Sequence, residues 1–202
     1  MKKVIIALKL ADRIVQEDGY DYIGADAGAL TLAKSGIHMG AAIGDFDSVK
    51  KEDLAIIREY SDITVTLNPV KDDSDAQAAI DEAISLGYDN IVLLGAMGGR
   101  ADHSFLNLRL ALAYAGKVVI KDERNWITAL PPGTYNLKKD AYPYISFFTE
   151  KPAVLSLYGF AYPLEKRNIS CEDLYTGSNE LLEDTGTVIV EKNPVLLFRS
   201  RD

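Results

Sequence analysis

Residues 43–49 read IGDFDSV, which sets Asp45 and Asp47 one residue apart at the end of an apolar run. In an extended segment, residues i and i+2 share a face about 6.6 Å apart. Two carboxylates at that spacing repel by ~0.6 kcal/mol in water and by ~2.5 kcal/mol at an effective dielectric of about 20. A divalent cation would turn that repulsion into binding. Hard oxygen ligands at a strand end suit magnesium, which takes a few carboxylates together with water and phosphate oxygens. The same residues also admit a structural role, in which Asp47 or Ser48 caps the helix expected over KKEDLAIIREY (50–60) and Asp45 is solvated.

Two further loops carry the same kind of chemistry. KDDSD (71–75) opens a helical stretch, and Ser74 with Gln77 three residues on has the capping-box pattern. Acidic residues also favour a helix N-terminus, but Asp72, Asp73 and Asp75 exceed what a cap requires. Asp72 and Asp75 could join a metal site, and Lys71 could meet a phosphate as a point charge. GAMGGRADH (95–103) lies between the apolar NIVLLGA and the helical SFLNLRLALAYA. Its glycines, Gly98 and Gly99 among them, let the backbone approach an anion, the following helix offers free N–H groups, and Arg100 is a bidentate phosphate donor. Neither GxGxxG nor a P-loop is present. Taken singly, Asp102 reads equally as an N-cap and His103 as a surface histidine.

These loops matter because of the elements that must hold them. Up to about residue 122, KKVIIAL, DYIGA, AAIGD, DITVTL, NIVLLGA and KVVIKD are candidate strands separated by helical patterns. The clearest helix is 74–86, where Ala76, Ala79, Ile80, Ala83 and Ile84 form one apolar stripe. Apolar strands alternating with helices predict an α/β fold: a mostly parallel sheet covered by helices on both faces, with ligands at the carboxyl ends of the strands. After Asn125 the texture changes to short segments rich in β-branched and aromatic residues, WITAL, GTYNL, YPYISFFTE, AVLSLYG, GTVIVEK and PVLLFRS, broken by Pro and Gly. That predicts a C-terminal antiparallel β-sandwich, with domains over 1–124 and 125–202. A parallel sheet brings its strand ends to one rim, so four carboxylates, a lysine, an arginine and a glycine turn would converge there as a metal–nucleotide site.

Composition narrows the partners. The 202 residues are 48% hydrophobic, enough for a real core, and 30 acidic against 22 basic residues give a net charge of −8. That charge opposes binding to nucleic acid or to anionic membrane surfaces. One cysteine, Cys171, excludes internal disulfides and a cysteine-based zinc cluster, and suits a reducing compartment, with the cytoplasm expected. Lys9 interrupts the N-terminal apolar run early, so that run reads as a first strand rather than a signal peptide, and no run of about 18 apolar residues suggests a membrane span.

With GDFDS at 44–48, the D-x-[ST]-D pattern at 72–75, GGRADH at 98–103 with Asn107 following, and GSNE at 177–180, the chain resembles the thiamine pyrophosphokinase (thiamine diphosphokinase) family. The motifs occur in that family's order, and the similarity runs from ADAGAL at 25–30 to the last strand. The resemblance implies a homodimer with the active site between subunits, which transfers a pyrophosphoryl group from ATP to the hydroxyl of thiamine, giving thiamine diphosphate and AMP. By position it implies magnesium at Asp45, Asp47, Asp72 and Asp75. ATP contacts would fall on Asp26, Lys71, Ser74, Gly98, Gly99, Arg100 and His103. Arg100 and Asp102 would be the catalytic pair, and thiamine would meet Asp102, Tyr162, Ser178 and Asn179. Three positions depart from the family pattern: Ala27 where a glycine is frequent, Tyr162 in the strand GFAYPL where many members have tryptophan, and Ser74 for the commoner threonine.

Two alternatives follow from the same residues. AAIGDFDSV fits the D-x-D-x-[TV] signature of haloacid-dehalogenase-like phosphatases, although it follows two candidate strands and leaves GGRADH and GSNE without a role. A non-catalytic nucleotide or thiamine sensor would use the carboxylates without turnover.

Overall fold

Val4, Ile5, Ile6 and Ala7 are all buried although successive strand residues face opposite ways, so the first strand is covered on both sides. The computed structural model describes residues 2–12, 14–47, 49–68 and 74–202. Two compact units divide the chain, Met1–Asn107 and Leu108–Asp202.

In the first unit the order is β1 (Lys3–Ala7), β2 (Asp21–Ala25), α1 (Ala27–Lys34), β3 (Met39–Gly44), α2 (Lys51–Glu59), β4 (Ser61–Thr66), α3 (Asp75–Ser85) and β5 (Asn90–Leu94). Helix α4 (Ala101–Ala113) starts in this unit and continues into the next. The strands lie in the order β4-β3-β2-β1-β5 and pair in parallel, Ile6 meeting Ile23 on one side and Leu93 on the other. Helices α1 and α3 both pack on β1, β2 and β3. The stripe expected on α3 is present, with Ala76, Ala79, Ile80 and Ala83 buried. Ser74 is its N-cap, accepting a hydrogen bond from the Gln77 N–H at 3.2 Å. Helix α2 differs from expectation: its N-cap is Lys50, not Asp47, and the acidic residues that suit its first turn are Glu52 and Asp53.

The chain leaves β1 toward one edge of the sheet and returns to β1's other side as β5. That reversal opens a crevice at the carboxyl ends of β1 and β5, where open α/β sheets bind their ligands.

The second unit holds β6 (Val118–Lys121), β7 (Asn125–Leu130), β8 (Gly133–Lys138), β9 (Tyr144–Phe148), β10 (Ala153–Tyr158), β11 (Leu164–Ile169), β12 (Thr185–Glu191) and β13 (Val195–Ser200). Antiparallel pairing gives β6-β7-β13-β9 and a separate four-stranded sheet β11-β10-β12-β8. Leu197 and Phe147 from the first set share a core with Leu155, Val188 and Val190 from the second, and Phe147 meets Phe160 edge-on at 6.0 Å. GFAYPL is not a strand: after β10 the chain turns at Gly159 (φ 78°), and Phe160 makes only an isolated bridge to Leu181. Pro163 has no N–H to extend the ladder. The strand begins afterwards, in the charged and largely exposed LEKRNI.

Candidate active site

A cavity of about 630 Å³ occupies the crevice between β1 and β5, entirely within the first unit. Its acidic lining is Asp26, Asp45 and Asp75, with Ser74 beside them. Gly98, Gly99, Arg100 and His103 line it from the loop after β5 and the start of α4. The structure thus gathers eight of the expected site residues from four strand ends that are far apart in sequence. Asp47 and Asp102 are not among the lining residues, and Lys71 and Asp72 lie outside the described residues.

The pairing of Asp45 with Asp47 differs from the extended geometry expected. Strand β3 ends at Gly44, and Phe46 takes a left-handed conformation (φ 53°) with its ring buried. That turn takes Asp47 off the strand face and into solvent, where its backbone N–H donates to Asp45 Oδ1 at 3.0 Å. Asp26 takes the third place in the acidic group. It precedes α1 in an equally unusual conformation (φ 49°), its N–H donating to the Ile43 carbonyl at 2.9 Å and its carboxylate accepting the Phe46 N–H at 3.3 Å. Gly44 lets it fit, because a Cβ there would strike the Asp26 carboxylate. Strained backbone of this kind persists where the surroundings over-determine it, commonly at functional sites.

Crowding has an electrostatic consequence. Burial first, then the hydrogen bond and the charge of Asp75, push the Asp26 carboxyl up to about 6 from an ordinary 3.8, with the Asp45 charge adding to the rise. Asp26 therefore keeps a proton at mildly acidic pH and donates it toward Asp75. A divalent cation would relieve the same crowding, and three carboxylates are the hard donors that magnesium prefers. Among the described residues, no three His, Cys, Asp or Glu side chains stand in a ready-made metal-holding cluster.

The glycine loop is held from three directions. Gly98 N–H donates to Ser104 Oγ at 3.1 Å, Asn107 Nδ2 donates to the Ala96 carbonyl at 2.7 Å, and Gly95 (φ 71°) lies against the backbone of Leu10 and Ala11. Arg100 forms a two-pronged pair with Asp102, Nε to Oδ1 at 3.1 Å and Nη2 to Oδ2 at 2.6 Å. The hydrogen bond from Arg100, aided by the His103 N–H, lowers the Asp102 carboxyl to about 2. Paired in this way, Asp102 is a weak base and Arg100 is partly neutralised.

In the second unit, Tyr162, Ser178 and Asn179 come together. Asn179 is buried, and its side-chain amide is committed to the backbone of Tyr162: Nδ2 donates to the Tyr162 carbonyl at 2.8 Å, and Oδ1 accepts the Tyr162 N–H at 3.0 Å. Ser178 has a positive φ (54°), and its N–H donates to Ser146 Oγ at 2.9 Å. The Tyr162 ring is exposed. Sequence reasoning missed the loop after β1, Leu8 to Leu10, and Leu106, all of which line the cavity. The signal available was topological: β1 borders the point where the strand order reverses, so its carboxyl end must reach the crevice.

Acidic strand ends and a glycine turn around a switch-point crevice suit a protein that holds a phosphate-bearing ligand there. Two family profiles match the chain: "Thiamin pyrophosphokinase, catalytic domain" over residues 15–121 and "Thiamin pyrophosphokinase, vitamin B1 binding domain" over residues 134–196. The chain belongs to the thiamin pyrophosphokinase family. It is 36% identical over 189 residues to the thiamine pyrophosphokinase of Bacillus subtilis (strain 168), covering 90% of this chain and 87% of the relative. The crystal structure of the Bacillus subtilis thiamine pyrophosphokinase superposes with a TM-score of 0.86 at 30% identity, covering 100% of both chains. That of the Geobacillus thermodenitrificans thiamin pyrophosphokinase gives 0.82 at 34% identity, covering 98% of both. Neither the phosphatase nor the non-catalytic sensor finds support in these likenesses. Among the described residues, no helix is long and apolar enough to cross a membrane.

Proposed function

We propose that the chain transfers a pyrophosphoryl group from ATP to the hydroxyl of thiamine, giving thiamine diphosphate and AMP, with residues 1–124 carrying the chemistry and 125–202 binding thiamine and pairing subunits. The observation that carries this reading is the convergence of Asp26, Asp45 and Asp75 with the Gly98–Gly99 turn on one cavity, inside the segment that matches the catalytic profile. Transfer of this kind asks the protein mainly for alignment and charge neutralisation. Asp45, Asp75 and Asp26 would hold magnesium, with Asp72 as a further carboxylate. When bound, the ion would supply positive charge that offsets the charge of the phosphates.

Arg100 and Asp102 act only after their pair opens. A phosphate oxygen competing for the guanidinium removes the main cause of the depressed Asp102 carboxyl, so anchoring the anion and freeing Asp102 as a stronger acceptor for the thiamine hydroxyl proton become one event. Lys9 and His103, which line the cavity, are further cationic candidates around the phosphates, together with Lys71. Tyr162 and Ser178 would meet thiamine across a homodimer interface, with Asn179 fixing the Tyr162 backbone. Thiamine and ATP are both metabolites of the cytoplasm, where the enzyme would act. The test is incubation with thiamine, ATP and magnesium: AMP and thiamine diphosphate in equal amounts support the reading, whereas ADP or inorganic phosphate as the nucleotide-derived product refutes it.

A further inference from the structure

The cavity has an apolar part that the phosphate chemistry does not use. Leu10, 47% exposed, and Leu106, 38% exposed, both line it together with Leu8 and Ala96. Leu10 does not lie there by looseness of its loop. Leu8 N–H donates to the Leu94 carbonyl at 2.9 Å, and Ala11 N–H donates to the Leu8 carbonyl at 3.0 Å, which fastens the segment to the end of β5. Gly95 gives the room for it, since a side chain there would strike the backbone of Leu10 and Ala11. The branched end of Leu10 reaches over the glycine turn: a Cβ on Gly99 would lie 3.1 Å from Leu10 Cδ1, and one on Gly98 3.9 Å from it.

We propose that Leu10, seated on the Gly98–Gly99 turn in a cavity that Leu106 also lines, is a binding residue that takes the flat nucleobase of the triphosphate substrate. This rests on the ATP reading above and adds to it. A half-exposed leucine inside a cavity is wetted surface that a planar, weakly hydrated ring face would cover favourably, and it offers nothing to a phosphate. The carboxylates and Arg100 supply the polar contacts in the same cavity. Thiamine reaches this unit through its hydroxyl at Asp102, while the profile for vitamin B1 binding matches 134–196 and every residue of the cavity falls within 8–107, so the ring that Leu10 meets is assigned to the nucleotide.

The experiment compares the wild type with Leu10→Ala and, independently, Leu106→Ala, each checked for folding by circular dichroism. ATP and thiamine are varied in turn, inorganic tripolyphosphate is tested as an inhibitor, and ATP binding is measured by calorimetry. Removing the isobutyl group should raise the KM and the Kd for ATP about tenfold, the scale of losing a few methylenes from an apolar contact. The thiamine KM and tripolyphosphate inhibition should stay within about twofold, because neither ligand would touch Leu10. An unchanged ATP KM, or a matching rise for thiamine or tripolyphosphate, overturns the assignment. A wild type that binds ATP but forms no AMP, with Leu10→Ala binding it about tenfold more weakly, would refute the transfer reaction and leave the role of Leu10 standing. Failure of the wild type to bind any nucleotide would overturn both.

Discussion

Asp26 keeps a proton that a carboxyl in water would have lost, because burial and the neighbouring Asp75 and Asp45 make its charge costly. The folded protein therefore binds that proton more tightly than the unfolded chain. The stabilising effect is fully present below pH 3.8 and is lost as the pH rises through about 6, which is the reverse of the usual carboxylate. In metal-free protein, the wild type should lose thermal stability relative to Asp26→Asn as the pH is raised from 4 to 7. The substituted amide stays neutral throughout and still offers a donor to Asp75. Parallel melting curves for the two proteins across that range would show that Asp26 and Asp75 do not share the proton. Asp102 behaves oppositely, being ionised over the whole working range while Arg100 holds it.

At the scale of elements, the site depends on how β3 ends. Gly44 is the last residue of the strand and lies under the Asp26 carboxylate, so Gly44→Ala forces that carboxylate aside while the strand itself tolerates a methyl group. Overpacking of this kind costs about 1–3 kcal/mol, and turnover should fall at least about tenfold as Asp26 leaves its place. Unaltered turnover in a folded Gly44→Ala protein would exclude Asp26 from the reacting group. In the second unit, Asn179→Ala would leave the N–H and carbonyl of Tyr162 without their partners, at about 1–3 kcal/mol of stability. The thiamine KM should rise because the exposed Tyr162 ring loses its fixed base. A raised KM with an unchanged melting temperature would instead make Asn179 a direct thiamine contact. Helix α3 was legible beforehand because its alanine and isoleucine spacing repeats over three turns and a serine cap precedes it. The turn at Phe46 was not, since a left-handed non-glycine residue has no sequence signature and is imposed by the packing of its ring. Strand β11 was hidden for a related reason: LEKRNI shows no apolar alternation, and pairing with β10 makes it a strand. Leu10 carries no signal of its own in the sequence because exposed leucines are common, and only the fold shows that this one lies in a cavity.

For the whole molecule, the charge of −8 acts on two substrates of opposite sign. Thiamine carries a positive ring and is drawn toward an acidic protein from outside the site, while a nucleotide triphosphate, even with magnesium, is repelled until it reaches local cations. Salt screens both effects, because the Debye length falls from about 30 Å at 0.01 M to about 8 Å at 0.15 M ionic strength. The two specificity constants should therefore move in opposite directions when ionic strength is raised at fixed free magnesium. kcat/KM for thiamine should fall by a few-fold and kcat/KM for ATP should rise, with kcat itself nearly constant. The contrast separates long-range attraction from contact: an uncharged thiamine analogue lacking the ring cation should lose the salt dependence while ATP keeps it. A fall in both constants by the same factor would instead mean that salt weakens the site itself, most directly the contact between the largely exposed Arg100 and the phosphates.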